Sequence, residues 1–251
     1  MKKLMAANWK MHKTYAEAQK TAEELVALVE GKLPADREML VVPAAPSMKA
    51  VGDAFKGKAG MFSGAQNVYP ADKGAFTGEI SPEMIKDLDG EFVLTGHSER
   101  RHVLGESDEF VGEKTAFALN AGLKAVLCIG EKLEERKAGE VQKVCDTQME
   151  AGLKDVSRDI DPEKIIIAYE PVWAIGTGEV AGPEEIVEAH GFVRAKLVEI
   201  FGNKASEIRI LYGGSVKPAN CAEIISLDNV DGVLVGGASL ESESFSKIVL
   251  A

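Results

Sequence analysis

The sequence predicts an eight-stranded parallel (β/α)8 barrel. Three observations carry that reading. Short apolar runs alternate with amphipathic helical stretches along the whole chain, and there are eight such runs. Eight units in 251 residues give about 31 residues each, the size of one strand–helix unit. No Ser/Pro tract, charge block or step in composition marks a linker, so residues 1–251 read as one domain. A doubly wound open sheet is the alternative arrangement of the same alternation.

Each element has a local reason. The first run, 4–9, is followed by Thr14-x-x-Glu17, a capping box that opens a helix over 14–30. Runs 39–42 and 61–64 follow, the second leading into a long loop that reaches Ser81. After run 92–94, Ser107 caps a helix over 108–120 that Gly122 ends. After run 125–129, the segment 131–153 reads as one long, charge-laced helix. Run 165–169 precedes Pro183, which suits the first position of a helix over 184–201 closed by Gly202. Runs 208–212 and 233–235 complete the set. Several runs are apolar at every position, as strands covered on both faces should be.

Composition excludes other classes. Hydrophobic residues make up 45% and charged residues 27%, which suits a folded globular chain. The formal net charge of −11 makes nucleic acid and anionic membrane poor partners, so any anion site must be built locally. No window approaches the ~20 apolar residues of a membrane span. Met1-Lys2-Lys3 starts like a leader, but the apolar run after it stops at Asn8 and Lys10, so no secretory signal is expected. Three cysteines, an odd number with no CxxC, read as reduced thiols of a cytoplasmic protein. The four histidines show no metal-ligand spacing, and no metal is expected.

Chemistry in a (β/α)8 barrel sits at the C-terminal ends of the strands. The first run closes on Asn8-Trp9-Lys10, and strand alternation puts Asn8 and Lys10 on one face. The third runs into Gln66-Asn67 and the long loop, and a loop of that length in a compact domain is usually functional or disordered. The fourth leads to Gly96-His97-Ser98-Glu99-Arg100-Arg101. There the positive end of a short helix would depress the His97 pKa and keep the ring neutral. The sixth ends Tyr169-Glu170-Pro171. A partly desolvated carboxylate at that place would have a raised pKa and suit a general base, whereas a solvated loop acid would do nothing. The seventh and eighth end in Gly213-Gly214-Ser215 and Gly236-Gly237. Neither is a GxGxxG or Walker loop; their place after strands seven and eight, where phosphate sites of this architecture recur, is what points to an anion. The opposite end shows ordinary turns such as Asp161-Pro162.

Six segments in order, AANWKM (6–11), GAQNVYPADKGAFTGE (64–79), GHSERR (96–101), AYEPVWAIGTGEVA (168–181), YGGSVKPAN (212–220) and GVLVGGASL (232–240), resemble the triosephosphate isomerase family. The resemblance implies interconversion of dihydroxyacetone phosphate and D-glyceraldehyde 3-phosphate through a cis-enediolate, in glycolysis and gluconeogenesis, without a cofactor. It implies Glu170 as the base and His97 as the neutral group that polarises the carbonyl and shuttles protons between oxygens. Lys10 would stabilise the enediolate, Asn8 would add a donor, and Glu99 would hold Lys10. The phosphate would rest on backbone N–H groups of Ser215, Gly236 and Gly237, with Gly176 joining from a lid over 171–181. It also implies a homodimer in which loop 66–79 enters the neighbouring subunit, with Thr77 as the key contact and Glu79 paired to Arg100 across the interface. Glu179, Gly182 and His12 depart from the family's usual residues at the far lid hinge, the following helix cap and the dimer edge. Cys128 reads as a small buried hydrophobe without a catalytic role.

Two other readings are weighed against this one. A Schiff-base aldolase using Lys10 needs a neutral amine, which an adjacent Glu99 disfavours. A non-catalytic barrel would be expected to have lost Lys10, His97 or Glu170, and all three are present.

Overall fold

The computed structural model describes residues 1–175, 179 and 181–251. Eight parallel strands close into a barrel in sequence order: β1 (Lys3–Asn8), β2 (Arg37–Val42), β3 (Met61–Ala65), β4 (Gly90–Thr95), β5 (Lys124–Ile129), β6 (Ile165–Tyr169), β7 (Arg209–Tyr212) and β8 (Gly232–Val235). Helices α1 (Tyr15–Val29), α2 (Met48–Phe55), α3 (Pro82–Asp87), α4 (Ser98–His102) and α5 (Asp108–Asn120) surround the first half. Helices α6 (Leu133–Lys137), α7 (Val141–Gly152), α8 (Pro183–Phe201), α9 (Cys221–Ser226) and α10 (Ser242–Val249) surround the second. The closed sheet replaces the open-sheet alternative.

The caps act as the sequence implies. Thr14 and Glu17 form the capping box of α1, and the Ser107 hydroxyl accepts the Phe110 N–H at the start of α5. Gly182 has no side chain to cap α8, so Glu185 alone reaches back, accepting the Gly182 N–H at 2.8 Å. The expected single helix over 131–153 is a correction. Gly139 adopts φ +73° between α6 and α7, a left-handed conformation that ends the first helix.

Strand alternation divides the core into two layers. Leu4, Ala6, Leu40, Val42, Phe92, Leu94, Val126, Cys128, Ile166, Ala168, Leu211 and Leu234 pack inside the barrel. Their neighbours, such as Met5, Val41, Val93, Leu127, Ile167 and Val233, pack outward against the helices. Continuing the inward parity past the strand ends brings Asn8, Gln66, Gly96, Gly130, Glu170, Gly213 and Gly236 to one mouth. The fold thus delivers polar groups and glycines to that mouth by the same alternation that fills the core.

The seam between β8 and β1 depends on one glycine. Gly232 pairs with Leu4 at φ +143°, and an added Cβ would lie 2.1 Å from the Leu4 carbonyl oxygen. Gly232→Val is expected to cost about 3 kcal/mol or more, through strain and overpacking together. Urea unfolding at fixed protein concentration measures this; an unchanged midpoint contradicts it.

Candidate active site

One cavity of about 450 Å3 opens at the C-terminal ends of the strands. Asn8, Lys10, His97, Glu170, Ser215, Gly236 and Gly237 all line it. Gly176, the remaining expected phosphate contact, lies outside the described residues.

Lys10 reaches the cavity by a different device from simple alternation. The strand ends at Asn8, and Lys10 takes φ +53°, a backbone conformation unfavourable for residues other than glycine. Two side chains hold it there. Asn8 Oδ1 accepts the Lys10 N–H at 2.9 Å, and Gln66 Nε2 donates to the Lys10 carbonyl at 2.8 Å. The Lys10 Nζ then sits 2.7 Å from Glu99 Oε1.

His97 caps α4. Its Nδ1 accepts the Glu99 N–H at 3.3 Å, so in the neutral ring the proton is on Nε2. That Nε2 lies 3.0 Å from Glu170 Oε1, and the other oxygen, Oε2, accepts the Ser98 N–H at 3.0 Å. Glu170 is 2% exposed. Its backbone N–H donates to the Ile129 carbonyl at 2.7 Å, tying the end of β6 to the end of β5. Gly213 makes the room, since a Cβ at that position would lie 2.8 Å from Glu170 Cγ.

The electrostatics reverse two expectations. Burial pushes the Glu170 carboxyl up, but the His97 ring, the Ser98 N–H and the Lys10 ammonium together hold it below its ordinary value. Burial pushes His97 down, but the carboxylates of Glu170 and Glu99 carry it above its ordinary value. Burial and a helix end, the influences visible in the sequence, predict Glu170 raised and His97 depressed; the 3.0 Å contact between the two groups reverses both.

The pair gives stability a pH signature. A lowered carboxyl pKa contributes stability that is present above the unfolded value of 4.5 and is lost as pH falls through the folded value. A raised imidazole pKa contributes stability that is present below the unfolded value of 6.5 and is lost as pH rises through the folded value. Both contributions coexist between pH 4.5 and 6.5. The Tm advantage of the parent over Glu170→Gln is therefore expected to peak in that window and shrink on both sides. Thermal melts across pH check this, and an advantage flat in pH contradicts the pairing.

The glycine-rich ends are fixed from behind. Gly237–Ser239 forms a short 3-10 turn after β8, and Trp9 Nε1 donates to the Ser239 carbonyl at 3.0 Å. The Asn220 amide donates to the Ser215 carbonyl at 3.1 Å. A Cβ on Gly236 would lie 3.2 Å from Lys10 Cε, so glycine keeps this backbone close to the ammonium.

The family comparison fits this geometry. The sequence pattern described as Triosephosphate isomerase matches residues 3–251. A triosephosphate isomerase of Nitratidesulfovibrio vulgaris is 61% identical over 251 residues, covering 100% of both chains. One from Oleidesulfovibrio alaskensis is 62% identical over the same full lengths. One from Aquifex aeolicus is 46% identical, covering 99% of each chain.

The chain belongs to the triosephosphate isomerase family. Membership makes it an isomerase on a TIM barrel, of the family that interconverts dihydroxyacetone phosphate and glyceraldehyde 3-phosphate in glycolysis.

One residue of this triosephosphate isomerase fold has a place that the sequence does not predict. Glu131, expected at the start of a helix, is instead fully buried at the end of β5. Its Oε1 accepts the Tyr169 hydroxyl at 3.0 Å and the Trp173 indole N–H at 2.8 Å. It therefore anchors the segment Pro171–Ile175 that begins the expected lid. Burial holds the Glu131 carboxyl above its ordinary value despite those donors. The available signal was its place directly after an apolar strand, the same signal that marked Glu170. The residues expected at a dimer interface lie apart from the cavity. Thr77 and Glu79 are exposed, Glu79 Oε2 accepts from the Asn67 amide at 3.4 Å, and Arg100 Nε donates to Glu106 at 2.7 Å within the chain.

Proposed function

We propose that Glu170 and His97 carry out the interconversion of dihydroxyacetone phosphate and D-glyceraldehyde 3-phosphate as base and acid on one substrate. The Glu170 carboxylate takes the proton from C1 of the ketone. The electron pair moves toward the C2 carbonyl oxygen, which receives a hydrogen bond from His97 Nε2–H, giving a cis-enediolate. Return of the proton to C2, with His97 moving a proton between the two oxygens, completes the aldose. The Lys10 ammonium stabilises the developing oxyanion. The backbone at Ser215, Gly236 and Gly237 takes the phosphate, with Gly176 as a further donor. Glu99 keeps the Lys10 ammonium in place, and Asn8 holds the Lys10 backbone. Every step is a proton transfer, so the reading calls for no cofactor.

The observation that carries this reading is the 3.0 Å contact of His97 Nε2 with Glu170 Oε1 inside the cavity. Both carboxylate oxygens are engaged within the chain, one by His97 and one by Ser98. A substrate carbonyl that takes the Nε2 donor removes one of the groups holding the Glu170 pKa low, while burial remains. Binding thus shifts the carboxylate toward a stronger base at the moment one is needed. A coupled assay with either triose phosphate tests the function: turnover of both supports it, and turnover of neither contradicts it.

The chain is further proposed to act as a homodimer. Exposed large apolar residues concentrate after β1, β3 and β4: Met11, 93% exposed, and Tyr15 follow β1, Phe76 and Met84 follow β3, and Val103, 77% exposed, and Leu104, 63% exposed, follow β4. Loop 66–79 is ordered by stacking of Tyr69 on Phe76, with ring centroids 4.3 Å apart, and presents Thr77 outward. Exposed apolar side chains of that kind are what a subunit interface covers. Arg100 and Glu79 would then meet across it. Light scattering is expected to give twice the chain mass; a stable, fully active monomer contradicts the inserted loop. The three cysteines are buried free thiols, which suits the reducing cytoplasm we propose as the compartment. Among the described residues, no helix is long and apolar enough to cross a membrane.

A further inference from the structure

We infer that Arg101 is a positioning residue that sets the separation between His97 and Glu170. The inference rests on the reading of those two groups as the reacting pair.

Arg101 is 8% exposed, unusual for an arginine, and its guanidinium is shared among three partners on different elements. Nε donates to the Gly96 carbonyl at 2.6 Å, Nη2 donates to the Cys128 carbonyl at 3.1 Å, and Nη1 pairs with Asp108 at the start of α5. Its backbone N–H also donates to the His97 carbonyl at 3.1 Å. The planar fork therefore grips the peptide on the N-terminal side of His97, while the Arg101 main chain grips the peptide on the other side.

The second grip explains the spacing. Cys128 is the penultimate residue of β5, and the next residue, Ile129, accepts the Glu170 N–H at 2.7 Å. One guanidinium thus ties the turn that carries His97 to the strand end that carries the Glu170 backbone. Gly96 sits at φ +68°, and a Cβ there would meet Arg101 Nη2 at 2.6 Å. The turn is shaped around the guanidinium, and only glycine leaves it space. The guanidinium contacts the Gly96 and Cys128 carbonyls rather than the His97 ring, so Arg101 acts on the ring through the backbone that carries it.

A shift of about 1 Å between reacting groups is enough to cost up to ~10²-fold in rate. Arg101→Lys keeps the charge beside Asp108 but cannot reach both carbonyls. It is expected to lower kcat by roughly 10–10²-fold with KM changed less than about threefold, and to move the His97 imidazole NMR signals. Arg101→Ala with added guanidinium ion is expected to recover part of the lost kcat. Asp108→Asn loosens the anchor without removing the fork. It is expected to lower kcat in the same direction by a smaller factor, and it decides the matter if Arg101→Lys does not fold. Wild-type kcat in a folded Arg101→Lys or Asp108→Asn protein overturns the inference. So does a loss of kcat that leaves the His97 signals unmoved. Glu170→Gln in the otherwise unaltered chain separates the two readings. Full activity there removes the base assignment itself, whereas loss of activity there with normal Arg101 variants removes only the positioning role.

Discussion

Glu170→Gln is expected to lower kcat by roughly 10²–10⁴-fold while the protein stays folded. The amide is the same size as the carboxyl and fits the same space over Gly213, where glycine already leaves just enough room for Cγ. Its oxygen can still accept the Ser98 N–H, which the carboxylate accepts at 3.0 Å. What the variant lacks is a basic oxygen, so the loss falls on proton removal rather than on binding, and KM should change little. Steady-state kinetics with both triose phosphates, alongside circular dichroism, measures this. Near-parental turnover in folded protein removes Glu170 from the mechanism.

Lys10→Met is expected to lower kcat by roughly 10²–10³-fold, the cost of one donor aimed at a developing oxyanion, and to raise KM as well. The cation serves two purposes in the proposed reaction, stabilising the enediolate and attracting a dianionic phosphate to a chain whose net charge is −11. No whole-molecule field draws the substrate in, so the local ammonium carries that task. The thioether fills similar space, and the backbone contacts with Asn8 and Gln66 do not involve the ammonium. A rise in KM alone, at unchanged kcat, would confine Lys10 to binding.

Much of the site was legible because strand parity is a strict rule. Asn8 and Glu170 extend the inward sequences Leu4, Ala6 and Ile166, Ala168, so the same alternation that fills the barrel carries them to its mouth. Gly213 and Gly236 extend Leu211 and Leu234 in the same way. His97 breaks that parity. It enters the cavity only because Gly96 turns left-handed before it, and the wrapping of Arg101 around that turn has no local pattern to announce it.

The contacts that tune the site are distant along the chain. Gln66 holds the Lys10 backbone from 56 residues away, Glu99 meets Lys10 across 89, and Glu131 reaches Trp173 across 42. No periodicity encodes such pairings. The pKa directions follow the same pattern: a helix end and burial can be inferred locally, whereas the 3.0 Å approach of the His97 ring to Glu170 cannot. The break at Gly139 was readable in principle, since a glycine inside a charged helical stretch is a common place for one to stop.

The most direct measurement runs the isomerisation of dihydroxyacetone phosphate in D2O, with the parent and with Glu170→Gln. If one carboxylate accepts a proton at C1 and returns one at C2, solvent deuterium enters the product at C2, and both exchange and turnover collapse together in the variant. Turnover or exchange that persists at the parental rate in folded Glu170→Gln contradicts a proton relay on this residue.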